Sequence, residues 1–440
     1  MLDAGKILEK DRGASYVLEK LTEAGYEAYL VGGCVRDAVL DRPIKDIDIA
    51  TSALPEQVIA CFPRTAPTGL QHGTVTVILQ QGTYEVTTFR KEAEYEGFRR
   101  PSSVAYISDL TEDLKRRDFT MNAMAMDGAG NVVDPFEGQK DLALGVLRCV
   151  GKAEERFGED ALRMLRCIRF ASTYELQVEE STWQALLAQA PLLRHIAMER
   201  VRSELQRMID GPAPARAVRL LLASRLTAYL KKQLPLPFER WLAWDNALDA
   251  VSALEEQHDR WSMLLMLLEV PADIVRTALQ ELTFSRADGD AVWAVLALRE
   301  EVAAQLSGGG DPQDAALQTD PAPLERVWKV RAVRSGEAAA RALLRLLRVL
   351  QPIAGQRGEL ALFLDTAAPE LVRRGEDWLR EVPCFSLKEL AISGKDLASE
   401  LGMQPGPWMG KLLQFLLERT ALGEMPNERE SLLQAARAAK

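Results

Sequence analysis

Histidine is nearly absent: the 440 residues hold three, His72, His195 and His258. Cysteine is scarce as well. Cys34, Cys61, Cys149, Cys167 and Cys384 are scattered, with no Cys-x-x-Cys pair and no histidine pair nearby. That pattern suggests neither a zinc site nor a disulfide framework. No apolar run is long enough to span a bilayer and no signal peptide is visible, so a soluble, cytoplasmic protein without membrane association is expected. A basic excess is missing too: 54 Lys and Arg stand against 64 Asp and Glu, a net charge of −10. Net charge speaks to solubility and non-specific association, so a local basic face remains compatible with RNA binding. What is present is 47% hydrophobic residues over a length that calls for more than one core-bearing unit.

The chain turns on residues 29–51. Tyr29 to Val31 reads as a short buried strand, followed by Gly32 and Gly33 and a short helical pattern from Val35 to Leu40. Lys45-Asp46-Ile47-Asp48-Ile49-Ala50 then alternates strictly, the signature of a second strand. Side chains two apart on a strand share a face. Asp46 and Asp48 therefore point one way, with Ile47 and Ile49 toward the core. Two adjacent carboxylates repel, and a cation between them removes that cost. Mg²⁺ prefers oxygen and usually takes one or two carboxylates plus substrate phosphates. The Gly-Gly turn lets backbone approach a phosphate, and the helix start behind it offers N–H groups and a positive dipole end. Arg36 adds a cation near the same place. Strand, glycine turn, helix and acidic strand in this order predict a site for a metal–nucleoside triphosphate.

Residues 29–51 resemble motif A of the polymerase-β-like nucleotidyltransferases. More closely, they are similar to the class II bacterial CCA-adding tRNA nucleotidyltransferases and their poly(A) polymerase relatives. The resemblance implies an α+β fold: a small N-terminal mixed β-sheet head followed by an elongated all-α neck, body and tail. The corresponding spans are 1–144, 145–212, 213–306 and 307–440. It also implies tRNA as partner, CTP and ATP as substrates, Mg²⁺ as cofactor, and no obligate protein partner.

Further segments fit this frame. An amphipathic helix is expected from about Ala14 to Glu23, and another from Ala53 to Phe62 with Pro55 in its first turn. Thr74–Leu79 and Thr83–Phe89 read as a hairpin. Glu85 lies on its second strand; the residues alone leave it open as a surface side chain, and the resemblance makes it the third carboxylate. Residues 90–103 are charged, without periodicity, and read as a functional loop. By resemblance this loop serves the final A step and argues against a CC-only enzyme. Glu94 and Gly97 stand where relatives often carry aspartate. Arg116-Arg117-Asp118 resembles motif B, which implies that Arg117 contacts the ribose.

Helical patterns run from Gly158 to Arg169 and onward. Asp160 and Arg163 are three apart and share a helix face. Glu159-Asp160-Ala161-Leu162-Arg163 resembles the family's Glu-Asp-x-x-Arg motif, which implies that Asp160 and Arg163 read the incoming base. The chemistry suits that role, since a carboxylate accepts from the amino group of cytosine or adenine while a guanidinium donates to the neighbouring ring acceptor. Uracil and guanine present the opposite order. Arg166 and Arg169 are expected to assist with orientation or the triphosphate.

Residues 307–321 form a Gly/Asp/Pro-rich boundary. Val327–Leu350 is a basic helix or helix pair, either a solvated face or a tRNA phosphate surface. Ser393–Leu397 and Pro405–Lys411 resemble the family's ending, with a Gly-Pro turn opening a helix near Lys411. Longer relatives carry a histidine–aspartate phosphohydrolase domain; three histidines are too few, and His258-Asp259 reads as chance. The frame allows an A-only enzyme, less readily a CC-only enzyme, and a poly(A) polymerase as alternatives to full CCA addition. A small-molecule nucleotidyltransferase would leave the long helical remainder without purpose, and a non-catalytic RNA-binding module would leave Asp46, Asp48 and Glu85 without one.

Overall fold

The computed structural model describes residues 8, 11–44, 46–92, 95–96, 100–101, 104–307, 324–353 and 358–439. The chain divides into two compact units, Met1–Gln233 and Leu234–Lys440.

The first unit opens with the helix Arg12–Glu23, whose apolar residues Ala14, Val17, Leu18 and Leu21 recur at helical spacing and are buried. Asp11 caps it: one carboxylate oxygen accepts the Ala14 N–H at 2.9 Å and the Tyr84 hydroxyl at 2.6 Å. A cap of this kind contributes about 1 kcal/mol. Seven strands follow: β1 (Ala28–Val31), β2 (Asp48–Thr51), β3 (Thr65–Gly69), β4 (Thr74–Ile78), β5 (Thr83–Thr88), β6 (Ala125–Met126) and β7 (Val132–Val133). They form one mixed sheet in the order β7-β6-β1-β2-β5-β4-β3. Only β2 and β5 run parallel; the other neighbours are antiparallel. Leu30, Ile49, Val75, Val77 and Val86 are fully buried and fix which face of the sheet meets the core.

Several local expectations shift. The acidic strand begins at Asp48, so Asp46 and Ile47 precede it. Strand β3 has no alternating pattern, and nothing in Thr65-Ala-Pro-Thr-Gly announced it. The segment read as a loop at 90–103 carries paired strands: Arg90–Glu92 with Val104–Tyr106, and Tyr95–Glu96 with Arg100–Pro101. Glu94 and Gly97 lie outside the described residues.

The rest of the first unit is mainly helical: Ala153–Glu159, Leu162–Thr173, Glu180–Gln189, Met198–Asp210 and Pro214–Ser224. The single helix expected from Gly158 to Arg169 is two helices. Asp160 breaks it with φ −136°, and its Oδ1 accepts the Leu162 N–H at 3.0 Å. A short acidic side chain that satisfies a helix's first amides favours a start over an interior position.

The second unit is helical. Trp241, Trp244 and Trp261 are buried, and a separate core gathers Leu397, Leu416, Leu417, Leu432 and Leu433. The basic stretch is a helix pair, Leu324–Ser335 and Glu337–Leu350, parted by Gly336 at φ +92°. Its cations are bound within the unit. Arg334 pairs with Glu418 at 2.6 Å, Arg345 with Asp259 at 2.5 Å, and Lys329 with Glu325 and Glu381 at 2.8 and 2.5 Å. Arg341 pairs with Glu337 and Glu376. His258 meets Asp288 at 3.0 Å, so the His-Asp dipeptide ties helices together. The Gly/Asp/Pro-rich boundary at 308–321 lies outside the described residues. Among the described residues, no helix is long and apolar enough to cross a membrane.

Candidate active site

In the parallel pair β2/β5, Asp48 stands directly beside Glu85. Residues in register on neighbouring strands share a face, with backbones about 4.8 Å apart. Both are exposed, while Ile49 and Val86 behind them are fully buried. Asp46 opens onto the same cleft, about 860 Å³, which Asp11, Arg42, Pro43, Ile44, Gln81–Thr83 and Tyr84 also line. The Asp48 carboxyl is held above its ordinary pKa. Restricted hydration is the main cause; Arg117 opposes it, and the charges of Glu85 and Asp46 add to it. The charges of Glu85 and Asp46 are thus felt at Asp48, with Arg117 as the cation that opposes them. Among the described residues, no group of three His, Cys, Asp or Glu is arranged to hold a metal ion unaided. A Mg²⁺ site completed by triphosphate oxygens needs only one or two carboxylates, and this open donor set fits that chemistry.

Arg117 links the cluster to the glycine turn. Its Nη1 lies where a Cβ on Gly32 would come within 2.7 Å, so a side chain there would push the guanidinium aside, and φ +73° at Gly32 favours glycine. The Gly32 N–H donates to the Met124 carbonyl at 3.2 Å. Gly33 begins the helix Gly33–Val39. Arg117 is held by a long bond to the Asn122 carbonyl at 3.4 Å and by Asp113 at 3.7 Å, while its buried Nε has no protein partner. Burial lowers its pKa, against the pull of Asp113 and Asp48.

Arg36 faces elsewhere. Its Nη1 donates to Asn122 Oδ1 at 2.5 Å, and Nε and Nη2 grip Asp37 at 3.0 Å each. The guanidinium stacks 4.4 Å from the Tyr174 ring and is 7% exposed. Asn122 continues the network, its Nδ2 donating to Asp118 Oδ1 at 3.0 Å, and Arg166 grips Asp118 Oδ2 at 2.6–2.7 Å. Burial alone would raise the Asp118 pKa; Arg166, the Asn122 bond and Arg163 outweigh it and hold it at about 2. Arg169 binds buried Glu204 at 2.7 Å and lies 4.0 Å from the Phe170 ring. Arg36, Arg166 and Arg169 thus meet acids and rings of the helix Leu162–Thr173 and its surroundings, and none of them lines the acidic cleft.

Asp160 and Arg163 do not pair. Asp160 is gripped by Arg200, with Nη2 to Oδ2 at 2.7 Å and Nη1 to Oδ1 at 3.3 Å. Arg163 donates to Glu159 at 2.6 Å, to the Arg156 carbonyl at 3.1 Å and to the Arg116 carbonyl at 2.9 Å. The last bond ties this helix start to the residue preceding Arg117. Sequence reasoning assigned no role to Asp113, Asn122, Tyr174, Arg200 or Glu204. Asn122, Tyr174, Arg200 and Glu204 each take a partner 35 to 137 residues away, beyond any local pattern; the Asp113 contacts to Arg116 and Arg117, the Asn122–Asp118 bond and the Glu204–Arg207 pair are local.

Residues 28–148 match the family described as the poly A polymerase head domain. Residues 175–236 match the probable RNA and SrmB-binding site of polymerase A, and 369–436 match tRNA nucleotidyltransferase domain 2. The CCA-adding enzyme of Geobacillus stearothermophilus is 37% identical over 430 residues, 94% of each chain. That of Geobacillus thermodenitrificans is 38% identical over 421 residues, again 94% of each. The crystal structure of the Bacillus stearothermophilus CCA-adding enzyme in complex with CTP superposes with a TM-score of 0.74 at 33% identity, covering 97% of each chain. Similarity of this degree along the whole length, on the same mixed sheet and helical continuation, establishes that the chain belongs to the CCA-adding enzymes, a family of tRNA nucleotidyltransferases.

Proposed function

We propose that this chain adds C, C and A from CTP and ATP to the 3′ end of tRNA in the cytoplasm, without a nucleic-acid template and with release of pyrophosphate. The observation that carries the chemistry is the register of Asp48 beside Glu85, with Asp46 on the same cleft. Membership of the family implies dependence on a divalent cation. Held by Asp46 and Asp48, with Glu85 alongside, Mg²⁺ would supply Lewis acidity at the attacking hydroxyl and at the triphosphate. The remaining work falls to side chains. Gly32 and Gly33 let the triphosphate approach the backbone, and Arg117, with its unpartnered Nε, turns toward the ribose. Asp160 accepts from the amino group of cytosine or adenine, and Arg163 donates to the ring acceptor after exchanging its bonds to Glu159 and the two carbonyls. Arg36, Arg166 and Arg169, satisfied by Asp37, Asn122, Asp118 and Glu204, orient these groups from behind; release of Arg36 toward phosphate would require loss of its grip on Asp37.

By extension, residues 1–144 serve as catalytic head, 145–212 as neck, 213–306 as body and 307–440 as tail. Exposed Lys411, at the start of the helix Trp408–Ala421, is a candidate phosphate contact in the tail. Relatives of matching length that are CCA-adding enzymes favour full CCA addition over A-only addition or poly(A) tailing. Labelled CTP and ATP are offered to a tRNA ending before CCA and to one ending in CC. Extension of both, stopping at CCA, is expected. Extension of the CC end alone would mean an A-only enzyme, and a long A tract on any RNA would mean a poly(A) polymerase.

A further inference from the structure

Arg200 belongs to no role described so far, yet it makes the closest ionic contact of the residue proposed to read the base. It comes from the helix Met198–Asp210, and its fork meets both oxygens of Asp160, 40 positions earlier. An ionised carboxylate offers about four acceptor directions. At Asp160, Oδ1 already takes the Leu162 N–H at 3.0 Å and Arg200 Nη1 at 3.3 Å, while Oδ2 takes Arg200 Nη2 at 2.7 Å. Three directions are filled and one remains, on Oδ2. The bidentate fork also fixes the plane of the carboxylate, which a single bond would leave free to rotate. Asp160 sits outside helical geometry, between Ala153–Glu159 and Leu162–Thr173, so its backbone does little to hold the side chain. The i,i+3 neighbour Arg163 does not hold it either, being turned to Glu159 and to two carbonyls.

We propose that Arg200 is a positioning residue for base selection: it clamps Asp160 so that one acceptor direction, on Oδ2, faces the base. That acceptor takes the exocyclic amino group of cytosine or adenine and repels the carbonyl that uracil or guanine presents at the same place. The clamp neutralises Asp160 without occupying its last lone pair, so the site stays selective rather than merely anionic. This inference rests on the proposed base-reading role of Asp160.

The test compares Arg200→Gln, Arg200→Lys and Asp160→Ala in the full-length enzyme. CTP, ATP and UTP incorporation are measured as kcat/KM on matched tRNA ends, alongside melting temperature and tRNA gel-shift affinity. Sites built around hydrogen bonds reject a mismatched partner by up to about 10⁴–10⁵-fold. Loosening the acceptor should lower the CTP/UTP and ATP/UTP ratios by roughly 10–100-fold, mainly through KM, with tRNA affinity unchanged. Arg200→Lys keeps the charge but not the fork, so it should fold like the wild type and still lose discrimination. Unchanged ratios in Arg200→Lys, with ratios lost in Asp160→Ala, would overturn the clamp alone. Ratios retained in Asp160→Ala would overturn the base-reading role beneath it, and the clamp with it.

Discussion

Asp118→Ala probes the buried network that joins the helix Leu162–Thr173 to Asp118 and Asn122. Asp118 is 6% exposed and takes four bonds: two from Arg166, one from Asn122 Nδ2 and one from the Phe119 N–H. Truncation strands Asn122 Nδ2 and the Phe119 N–H, and removes the carboxylate that grips Arg166. Breaking a buried ion pair from one side costs about 3–5 kcal/mol. The Arg166 side chain is 31% exposed and can recover some hydration, which places the loss near the lower end, about 3 kcal/mol. For a unit the size of Met1–Gln233, this lowers its melting temperature by roughly 6–12 °C. The effect depends on pH in a defined direction. The folded pKa of about 2 lies below the model-peptide value of 3.8. The depressed pKa therefore stabilises the fold above pH 4 by about 2 kcal/mol, and this contribution fades as pH falls through 2. Urea unfolding at pH 7, 4 and 3 should show the gap between wild type and Asp118→Ala roughly halving its ionic part by pH 3. A melting shift below about 2 °C at pH 7, or a gap that widens in acid, would refute this account of the network.

Gly32→Ala places a Cβ within 2.7 Å of Arg117 Nη1 on a backbone at φ +73°. Nucleotide incorporation should fall about 100-fold, as expected when a catalytic group is displaced by about 1 Å, with tRNA affinity retained in a gel shift. In the second unit, Arg345→Ala and Arg334→Ala leave Asp259 and Glu418 buried without their cations, so each should lower stability by roughly 2–4 kcal/mol in urea titrations. Neither should change the salt dependence of tRNA binding, whereas loss of a true phosphate contact would reduce that slope by about 1.

Much of the head was legible in the sequence because it obeys local rules. Exposed Asp48 next to buried Ile49 follows the alternation, although Ile47, expected toward the core, lines the acidic cleft, and the Thr74–Ile78/Thr83–Thr88 hairpin follows from β-branched runs around Gln80-Gln81-Gly82. The meeting of Asp48 and Glu85 needed more than alternation: β2 and β5 are parallel, and no local pattern fixes a parallel register. The strand Arg90–Glu92 is three charged residues long, too short to show a period, and so passed for loop. Spacing also tells which side chains can meet, not which partners they take. Asp160 and Arg163 are three apart, yet Asp160 caps a new helix and takes Arg200, while Arg163 reaches back to Glu159. The basic stripe at 327–350 reads from sequence as either a solvated face or a tRNA phosphate surface, because the acids that pair with it, Asp259, Glu381 and Glu418 among them, are distant in sequence.

The central claim is that the Asp46–Asp48 cleft carries nucleotidyl transfer to tRNA. The most direct measurement is incorporation of labelled CMP and AMP by Asp48→Ala and Asp46→Ala, beside their tRNA affinity. Incorporation falling to background with tRNA binding intact is the predicted result. Transfer persisting above a trace in either variant would contradict it.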